Sequence, residues 1–222
     1  MRPSLIINFH GIGQPVRPLE NGEGPYWITR GLFLEILDMI ERPCDDNLAI
    51  TFDDGNESDF AIAAPLLVAR GLKATFFVLA SKLGQPGYLS RGQARELDAA
   101  GHQIGSHGLD HLPWTSLEDD QLRAETFSSR EILEDLLCKP VISVALPFGR
   151  YNRRVLRMVR KAGYRHIYSS DGTSCLTNRS PIPRLSIRSD LSPSSVRDAM
   201  ERAPTLLQRT SQELKVLVKS AR

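Results

Sequence analysis

Apolar runs of strand length alternate along this chain with amphipathic stretches of helix length. Within the amphipathic stretches the apolar residues recur every three or four positions, which is typical of helices that bury one face. An alternation of this kind predicts βα units arranged around a parallel sheet. The predicted strands cover residues 5–9, 48–52, 74–79, 103–106, 141–146, 164–169 and 182–187.

Helices are predicted between these strands and after the last of them. The longest, over residues 116–137, begins with Ser116-Leu117-Glu118-Asp119, which is typical of a capping box. The other predicted helices cover residues 29–41, 58–69, 90–100, 152–162, 192–202 and about 206–218. About seven strands with intervening helices predict a closed or nearly closed (β/α) barrel, whose catalytic groups lie at the carboxyl ends of the strands.

Composition and organisation favour one ordinary globular domain. Hydrophobic residues make up 41% and charged residues 24% of the 222 residues, and no repeat or low-complexity tract interrupts them. We therefore predict a single domain over residues 1–222, with residues 204–222 forming a C-terminal amphipathic helical extension. The net charge of +2 gives no reason to expect nucleic acid as a partner.

Cysteine spacing and the first residues of the chain bear on the compartment. Cys44, Cys138 and Cys175 stand far apart, so they predict neither a disulfide framework nor a zinc ribbon, and they favour a reducing compartment. The apolar stretch near the N-terminus is too short for a signal peptide. No run approaches the roughly 20 apolar residues of a membrane span. We expect a cytoplasmic protein.

The two segments richest in chemistry follow predicted strands. Asp53, Asp54 and Gly55 come directly after residues 48–52, and Gly55 can supply the turn that brings both carboxylates to one pocket. His107 and His111 are four residues apart, so one helical turn would place both imidazoles on the same face. The alternative interpretations are an Asp-Asp-Gly surface turn and a chance pair of loop histidines.

Taken together, these residues predict a catalytic metal site. We expect Asp54, His107 and His111 to hold a divalent cation, with water completing the coordination. Zinc fits two imidazoles and one carboxylate, and cobalt, nickel or iron would fit as well, because ligand type alone does not choose among them. The remaining carboxylate, Asp53, is predicted to act as general base toward a water molecule.

Three motifs resemble those of the polysaccharide deacetylases, the carbohydrate esterase family that carries the NodB homology domain. They are TFDDG at residues 51–55, His107 with His111, and ALPFG at residues 145–149, and the resemblance extends from about Leu5 to about Leu191. It implies a deformed (β/α) barrel that deacetylates an aminosugar or glycan, with the first aspartate as base and the second as metal ligand. It also implies that Pro147, Phe148 and Gly149 line the sugar groove.

The chain departs from the family pattern at three places. Ala145 stands where the family has an arginine that pairs with the catalytic aspartate, and Arg150 or Arg184 could substitute for it from another strand. Ser170-Asp171-Gly172 is a weak counterpart of the fourth motif. The segment over residues 183–188 lacks the histidine that serves the family as general acid.

His10 is the predicted replacement for that missing acid. It ends the first predicted strand, and a closed barrel brings its first and last strands together. The arrangement resembles the branch of the family that deacetylates poly-N-acetylglucosamine, whose acid histidine lies on the N-terminal strand. As an imidazolium, His10 could protonate the leaving amine.

Aromatic and basic residues suggest further contacts. Trp27, which follows the long first loop, and Trp114, just past His111, are predicted to contact a sugar, with packing as the alternative for each. The arginine-rich helix near residues 150–161 could make peripheral contact with an anionic membrane, or could be the solvated outer face of the barrel.

Three functional hypotheses follow from these observations. The first is a metal-dependent hydrolase that removes acetyl groups from an N-acetylated sugar. The second keeps the metal and the fold but acts on a lipid-linked or nucleotide-linked sugar, a formylated aminosugar or a small amide. The third is a catalytically silent glycan-binding domain, which the loss of the usual arginine and histidine would favour.

Overall fold

A parallel sheet forms the framework of the computed structural model, which describes residues 5–40, 48–172, 180–201 and 218–219. Its strands are β1 (Leu5–Phe9), β2 (Gly11–Ile12), β3 (Trp27–Ile28), β4 (Leu48–Phe52), β5 (Ala74–Val78), β6 (Gln103–Ser106), β7 (Ser143–Ala145), β8 (His166–Ser169), β9 (Ile182–Pro183) and β10 (Leu185–Ser186). Eight strands form the main sheet in the order β10-β1-β4-β5-β6-β7-β8-β9, and β2 pairs with β3. The predicted deformed (β/α) barrel is confirmed, with eight strands in place of about seven.

The extra strand arises where the barrel closes. The predicted strand over residues 182–187 is divided at Arg184 into β9 and β10. β9 pairs with β8 through Tyr168 and Ile182, whereas β10 pairs with β1 through Ile7 and Leu185. A single short segment therefore joins the two edges of the sheet, and Arg184 occupies the joint.

The helices lie between the strands, as the alternating pattern predicts. They are α1 (Arg30–Met39), α2 (Ala64–Ala69), α3 (Arg91–Ala99), α4 (Asp119–Arg123), α5 (Ser129–Leu137), α6 (Arg153–Lys161) and α7 (Pro193–Glu201). The predicted long helix over residues 116–137 is shorter and divided, because a π-helical turn over residues 124–128 joins α4 to α5. Its capping box lies at Glu118 and Gln121. The Ser116 hydroxyl instead donates to the Pro113 carbonyl at 2.9 Å within the preceding turn.

Phenylalanines in matched register form the centre of the core. Phe9, Phe52 and Phe76 are cross-strand neighbours on β1, β4 and β5, and their rings stack at centroid distances of 5.3 and 4.7 Å. Phe33 of α1 packs edge-on against Phe9 at 5.0 Å. Successive residues of a strand point to opposite faces, so this packing turns Asn8 and Thr51 toward the barrel interior.

Several expectations lie wholly or partly outside the described residues. Of the predicted extension over residues 204–222, the structure describes Val218 and Lys219. Cys44 and Cys175 fall in segments that are not described, while Cys138 has an exposed free thiol. Across the described parts of the chain, none of the helices combines the length and the apolarity needed to span a bilayer.

Candidate active site

The candidate site lies at the sheet edge where the parallel strands end. His10 follows β1, Asp53 follows β4 and His107 follows β6. Because the carboxyl ends of parallel strands share one edge, side chains that are remote in sequence meet there. They line a cavity of about 270 Å³ together with other residues of the strand ends and of one loop: Glu20, Asn21, Gly22, Glu23, Tyr26, Asp54, His111, Leu146, Phe148, Ser170 and Ser186.

A tight turn separates the two carboxylates. The Asp53 backbone N–H donates to the Phe9 carbonyl at 2.9 Å, which continues the pairing of β4 with β1. The chain then turns through Asp54 (φ 75°) and Gly55 (φ 69°), so the turn that was expected from Gly55 involves both residues. A Cβ on Gly55 would lie 2.9 Å from a methyl carbon of Val78, which excludes a larger residue there.

The two histidines lie on a loop and not on the helical turn that their spacing suggests. Gly108 has a φ of 92° and His111 a φ of 56°, both outside the right-handed helical region. The loop instead folds around Glu125, which is buried and accepts the backbone N–H groups of Leu109 and Asp110 at 2.8 and 3.0 Å. Sequence reasoning missed Glu125, although an acid on the inward face of a predicted amphipathic helix was a usable signal.

Asp54, His107 and His111 form a set that fits a metal ion. Their ligand atoms all lie within 4.8 Å of one another. Asp54 Oδ1 is 3.5 Å from His107 Nε2 and 3.6 Å from His111 Nε2. The same oxygen is buried and has no hydrogen-bond partner, which is the situation expected of a ligand atom. These three residues could therefore hold a divalent cation.

The opposite nitrogen of each imidazole has its own partner. His107 Nδ1 lies 3.0 Å from the Ala145 carbonyl, and His111 Nδ1 lies 2.8 Å from Glu20 Oε2. When each Nδ1 carries the proton and donates it to these oxygens, each Nε2 presents a lone pair toward Asp54. Ala145 thus orients the His107 ring through its backbone carbonyl, at the position where the family pattern has an arginine.

Arg184 supplies the positive charge beside Asp53 that an alanine at position 145 cannot supply. Its guanidinium is fully buried and donates to both Asp53 carboxylate oxygens, at 2.7 Å each. Asn8 also donates to Asp53, at 3.0 Å. Of the two candidates considered, Arg184 is confirmed as the partner, whereas the Arg150 guanidinium lies 5.8 Å from the centroid of the Phe148 ring.

Burial and charge set the protonation of the site. Burial would raise the pKa of the Asp53 carboxyl, but the charges of Arg184 and His107 outweigh it and hold that pKa well below its ordinary value. Burial lowers the pKa of His107 despite both neighbouring aspartates. Burial also acts to lower the pKa of His111, but Asp54 and Glu20 raise it overall. Asp53 is therefore a carboxylate at neutral pH.

His10 lies close to the Asp53 carboxylate. Its Nε2 lies 3.9 Å from Asp53 Oδ2, and its ring packs against Tyr26 at a centroid distance of 4.7 Å. His10 Nδ1 is buried without a hydrogen-bond partner. The structure thus places His10 at the site, which is a condition for its predicted role as general acid.

Of the predicted groove residues 147–149, Phe148 lines the cavity. Its side chain is 48% exposed and stacks on the His111 ring at 4.3 Å, and its backbone adopts a φ of 57°. Pro147 and Gly149 are buried and do not line the cavity, so they shape this turn rather than the groove itself.

Asp171 of the weak fourth motif accepts the Tyr151 hydroxyl at 2.7 Å and the Ser169 hydroxyl at 2.9 Å.

The expectation that two tryptophans contact a sugar requires correction. Trp27 is 8% exposed, its indole N–H donates to Glu23 at 3.0 Å, and its ring covers Gly11 so closely that a Cβ there would lie 2.1 Å away. Trp114 is fully buried and donates to Glu125 at 3.1 Å. Both indoles stabilise loops that carry site residues, and neither lines the cavity.

Comparisons with known proteins agree with this geometry. A family model described as "Polysaccharide deacetylase" matches residues 41–167, which is more than half of the 222 residues. The putative polysaccharide deacetylase YxkH of Bacillus subtilis (strain 168) is 31% identical over 129 residues, covering 58% of this chain and 46% of that protein. The peptidoglycan-N-acetylglucosamine deacetylase of Bacillus cereus is 28% identical over 121 residues, 54% of each. The chain spans about half the length of these curated relatives.

Solved structures share the architecture along most of the chain. The deacetylase PplD of Streptococcus pyogenes, in complex with acetate, gives a TM-score of 0.78 at 22% identity and covers 90% of this chain and 99% of its own. A de-N-acetylase from Aggregatibacter actinomycetemcomitans gives a TM-score of 0.73 at 15% identity, covering 89% and 99%. At these identities the likeness concerns the fold alone.

Proposed function

The chain belongs to the polysaccharide deacetylase family, and from that premise we propose that it removes N-acetyl, or other N-acyl, groups from an aminosugar or glycan. The observation that carries the proposal is the Asp54, His107 and His111 cluster with the Asp53 carboxylate beside it. Relatives named for deacetylation of peptidoglycan N-acetylglucosamine and of chitin support an N-acetylated aminosugar as substrate.

Asp54, His107 and His111 would hold a divalent cation, and zinc suits this ligand set. Such an ion supplies a Lewis acid and lowers the pKa of water. The chain itself keeps both Nε2 atoms directed at Asp54 Oδ1, through the Ala145 carbonyl on one ring and Glu20 on the other.

Asp53 is the proposed general base. Arg184 keeps it ionised, and Asp53 Oδ2 lies 4.0 Å from His107 Nε2, which places the carboxylate next to the ligand cluster. From there it would accept the proton of the attacking water. The backbone N–H of Phe148, at the cavity wall, would donate to the oxygen that becomes negatively charged during attack on the acyl carbonyl.

His10 is the proposed general acid. Its Nε2 lies 3.9 Å from Asp53 Oδ2, and its imidazole lines the same cavity. As an imidazolium it would donate a proton to the amine nitrogen as the carbon–nitrogen bond breaks, so that the products leave as the free aminosugar and the carboxylic acid. Arg184 pairs with Asp53 in place of the missing family arginine, and His10 as the acid would replace the missing histidine, which favours this proposal over a silent glycan-binding domain.

Replacing Asp53 with asparagine tests this proposal. We expect acetate release from N-acetylated chitooligosaccharides, assayed with added zinc, to fall about 10²- to 10⁴-fold, because the proton acceptor is lost. Zinc content, measured by elemental analysis, should persist because Asp54 and both histidines remain. Asp120→Asn, at an exposed position on α4, is the matched control and should retain full activity. Turnover by Asp53→Asn within a few-fold of the parent would remove Asp53 from the mechanism.

A further inference from the structure

One loop borders much of the cavity and contacts the segments that carry the metal-binding residues. This site loop, residues 13–26, contributes Glu20, Asn21, Gly22, Glu23 and Tyr26 to the cavity wall. None of these side chains belongs to the ligand cluster. The loop can therefore influence the cluster only through the residues that it touches.

The clearest of these contacts is made by Glu20. Its Oε2 atom lies 2.8 Å from His111 Nδ1, although the two residues are 91 positions apart in sequence. The other nitrogen of the same ring, Nε2, faces Asp54 at 3.6 Å. Glu20 therefore lies behind the imidazole, away from the ligand position, where it can fix the orientation of the ring without binding an ion itself.

The ring of His111 depends on such a partner for its orientation more than the ring of His107 does. His107 is buried and is fixed by the backbone carbonyl of Ala145, whereas His111 lies on an irregular loop with a φ of 56° and its side chain is 13% exposed. Phe148 stacks on the ring but offers no hydrogen bond to it. Glu20 is thus the group that selects which nitrogen of His111 is presented to Asp54.

A chain of hydrogen bonds holds Glu20 in place. Its backbone N–H donates to Glu23 Oε2 at 2.7 Å, and the Glu23 carboxylate is bound by two nitrogens of Arg17 at 3.0 and 2.5 Å. Arg17 also donates to Asn56 Oδ1 at 2.8 Å, two residues beyond Asp54. The site loop is consequently connected at one side to the Asp54 turn and at the other to His111.

We propose that Glu20 is a positioning residue whose carboxylate orients His111 for the metal, so that metal binding and ordering of the site loop depend on each other. The inference rests on the proposed function, since it presumes that the cluster binds a metal. Outer partners of ligating histidines typically contribute 10- to 100-fold to metal affinity. Because coupling free energies are reciprocal, an ion that favours the Glu20–His111 contact must also favour the ordered loop.

Zinc affinity of the whole chain, measured by competition with a chromophoric chelator, tests the first part. We expect Glu20→Ala to bind zinc about 10- to 100-fold more weakly than the parent. Glu20→Gln, which keeps an oxygen acceptor but loses the charge, should fall between the two. Glu57→Gln is the matched control, because it removes an exposed carboxylate three residues from Asp54 and should leave the affinity unchanged.

Hydrogen–deuterium exchange of the site loop tests the second part. Zinc should slow amide exchange over residues 13–26 in the parent and in Glu57→Gln, and should do so far less in Glu20→Ala. Equal melting temperatures of the variants in chelator would show that folding is intact. Zinc affinity of Glu20→Ala within twofold of the parent, or equal zinc protection of the loop, would overturn the role of Glu20. A parent that binds neither zinc nor cobalt, nickel or iron would instead overturn the metal site and the proposed function with it.

Discussion

Asp53 and Asp54 are adjacent in sequence but are suited to different tasks because their surroundings differ. Asp53 is bound by Arg184 and Asn8, which leaves it ionised and fixed. Asp54 Oδ1 has no hydrogen-bond partner and faces two imidazole nitrogens. One is thereby suited to accept a proton and the other to bind a cation.

Also at the scale of single residues, the role of His10 can be distinguished from that of Asp53 by comparing substrates with different leaving groups. We expect His10→Gln to slow hydrolysis of an N-acetylated sugar by about 10²- to 10⁴-fold, because an amine cannot leave without a proton. Hydrolysis of 4-nitrophenyl acetate, whose phenolate leaves unprotonated, should fall much less. The exposed His166→Gln is the control and should change neither rate. Equal losses on both substrates would mean that His10 is not the acid.

At the scale of secondary structure, strands and helices position these residues, and most of those strands and helices were predictable from the sequence. Strand positions followed from apolar runs, because a strand buried in a parallel sheet has few polar residues. The interruption of the long helix was not predicted: the π-helical turn over residues 124–128 contains Glu125, whose carboxylate reaches the loop of His107 and His111. Local propensity carries no information about that long-range contact.

His102 illustrates how one buried side chain connects two elements. It follows α3 and lies 2% exposed, and its Nδ1 accepts the Ala74 backbone N–H of β5 at 3.2 Å. Its ring packs edge-on against Phe76 at 5.4 Å, and contacts of this kind indicate a structural role for His102. Burial, with a contribution from Lys73, lowers the pKa of His102 below its ordinary 6.5.

This lowered pKa predicts a stability that depends on pH. Below about pH 6.5 the unfolded chain binds a proton at His102 before the folded chain does, so stability is lost as pH falls through that range. We expect His102→Asn to be less stable than the parent at pH 7.5, and the difference to shrink at pH 5.5. Urea unfolding in the presence of a chelator measures both values, with His166→Asn as the control. A difference that does not change with pH would contradict the prediction.

At the scale of the whole molecule, one residue lies both at the closure of the barrel and beside the Asp53 carboxylate. Arg184 lies between β9, which pairs with β8, and β10, which pairs with β1. From that joint its guanidinium reaches Asp53 beyond the end of β4. The residue that bridges the two edges of the sheet therefore also neutralises the buried carboxylate.

Removing Arg184 should destabilise the fold through the charge that it leaves behind. We expect Arg184→Met to lower the free energy of unfolding by about 3–5 kcal/mol, since it leaves the buried Asp53 carboxylate without its cationic partner. Adding Asp53→Asn to Arg184→Met should restore part of that loss. Urea denaturation checks both, and the exposed Arg150→Met should stay within about 0.5 kcal/mol of the parent. A double variant no more stable than Arg184→Met would refute the pairing as the cause.

The sequence by itself determined the α/β class, the barrel, and the ligand and base candidates, because apolar periodicity and short motifs are local properties of the chain. It did not determine that Trp27 and Trp114 are buried, that His111 depends on Glu20, or which arginine pairs with Asp53. Those outcomes depend on residues brought together from distant segments. Only the tertiary structure decides such neighbours, because burial and pairing are properties of the folded molecule as a whole.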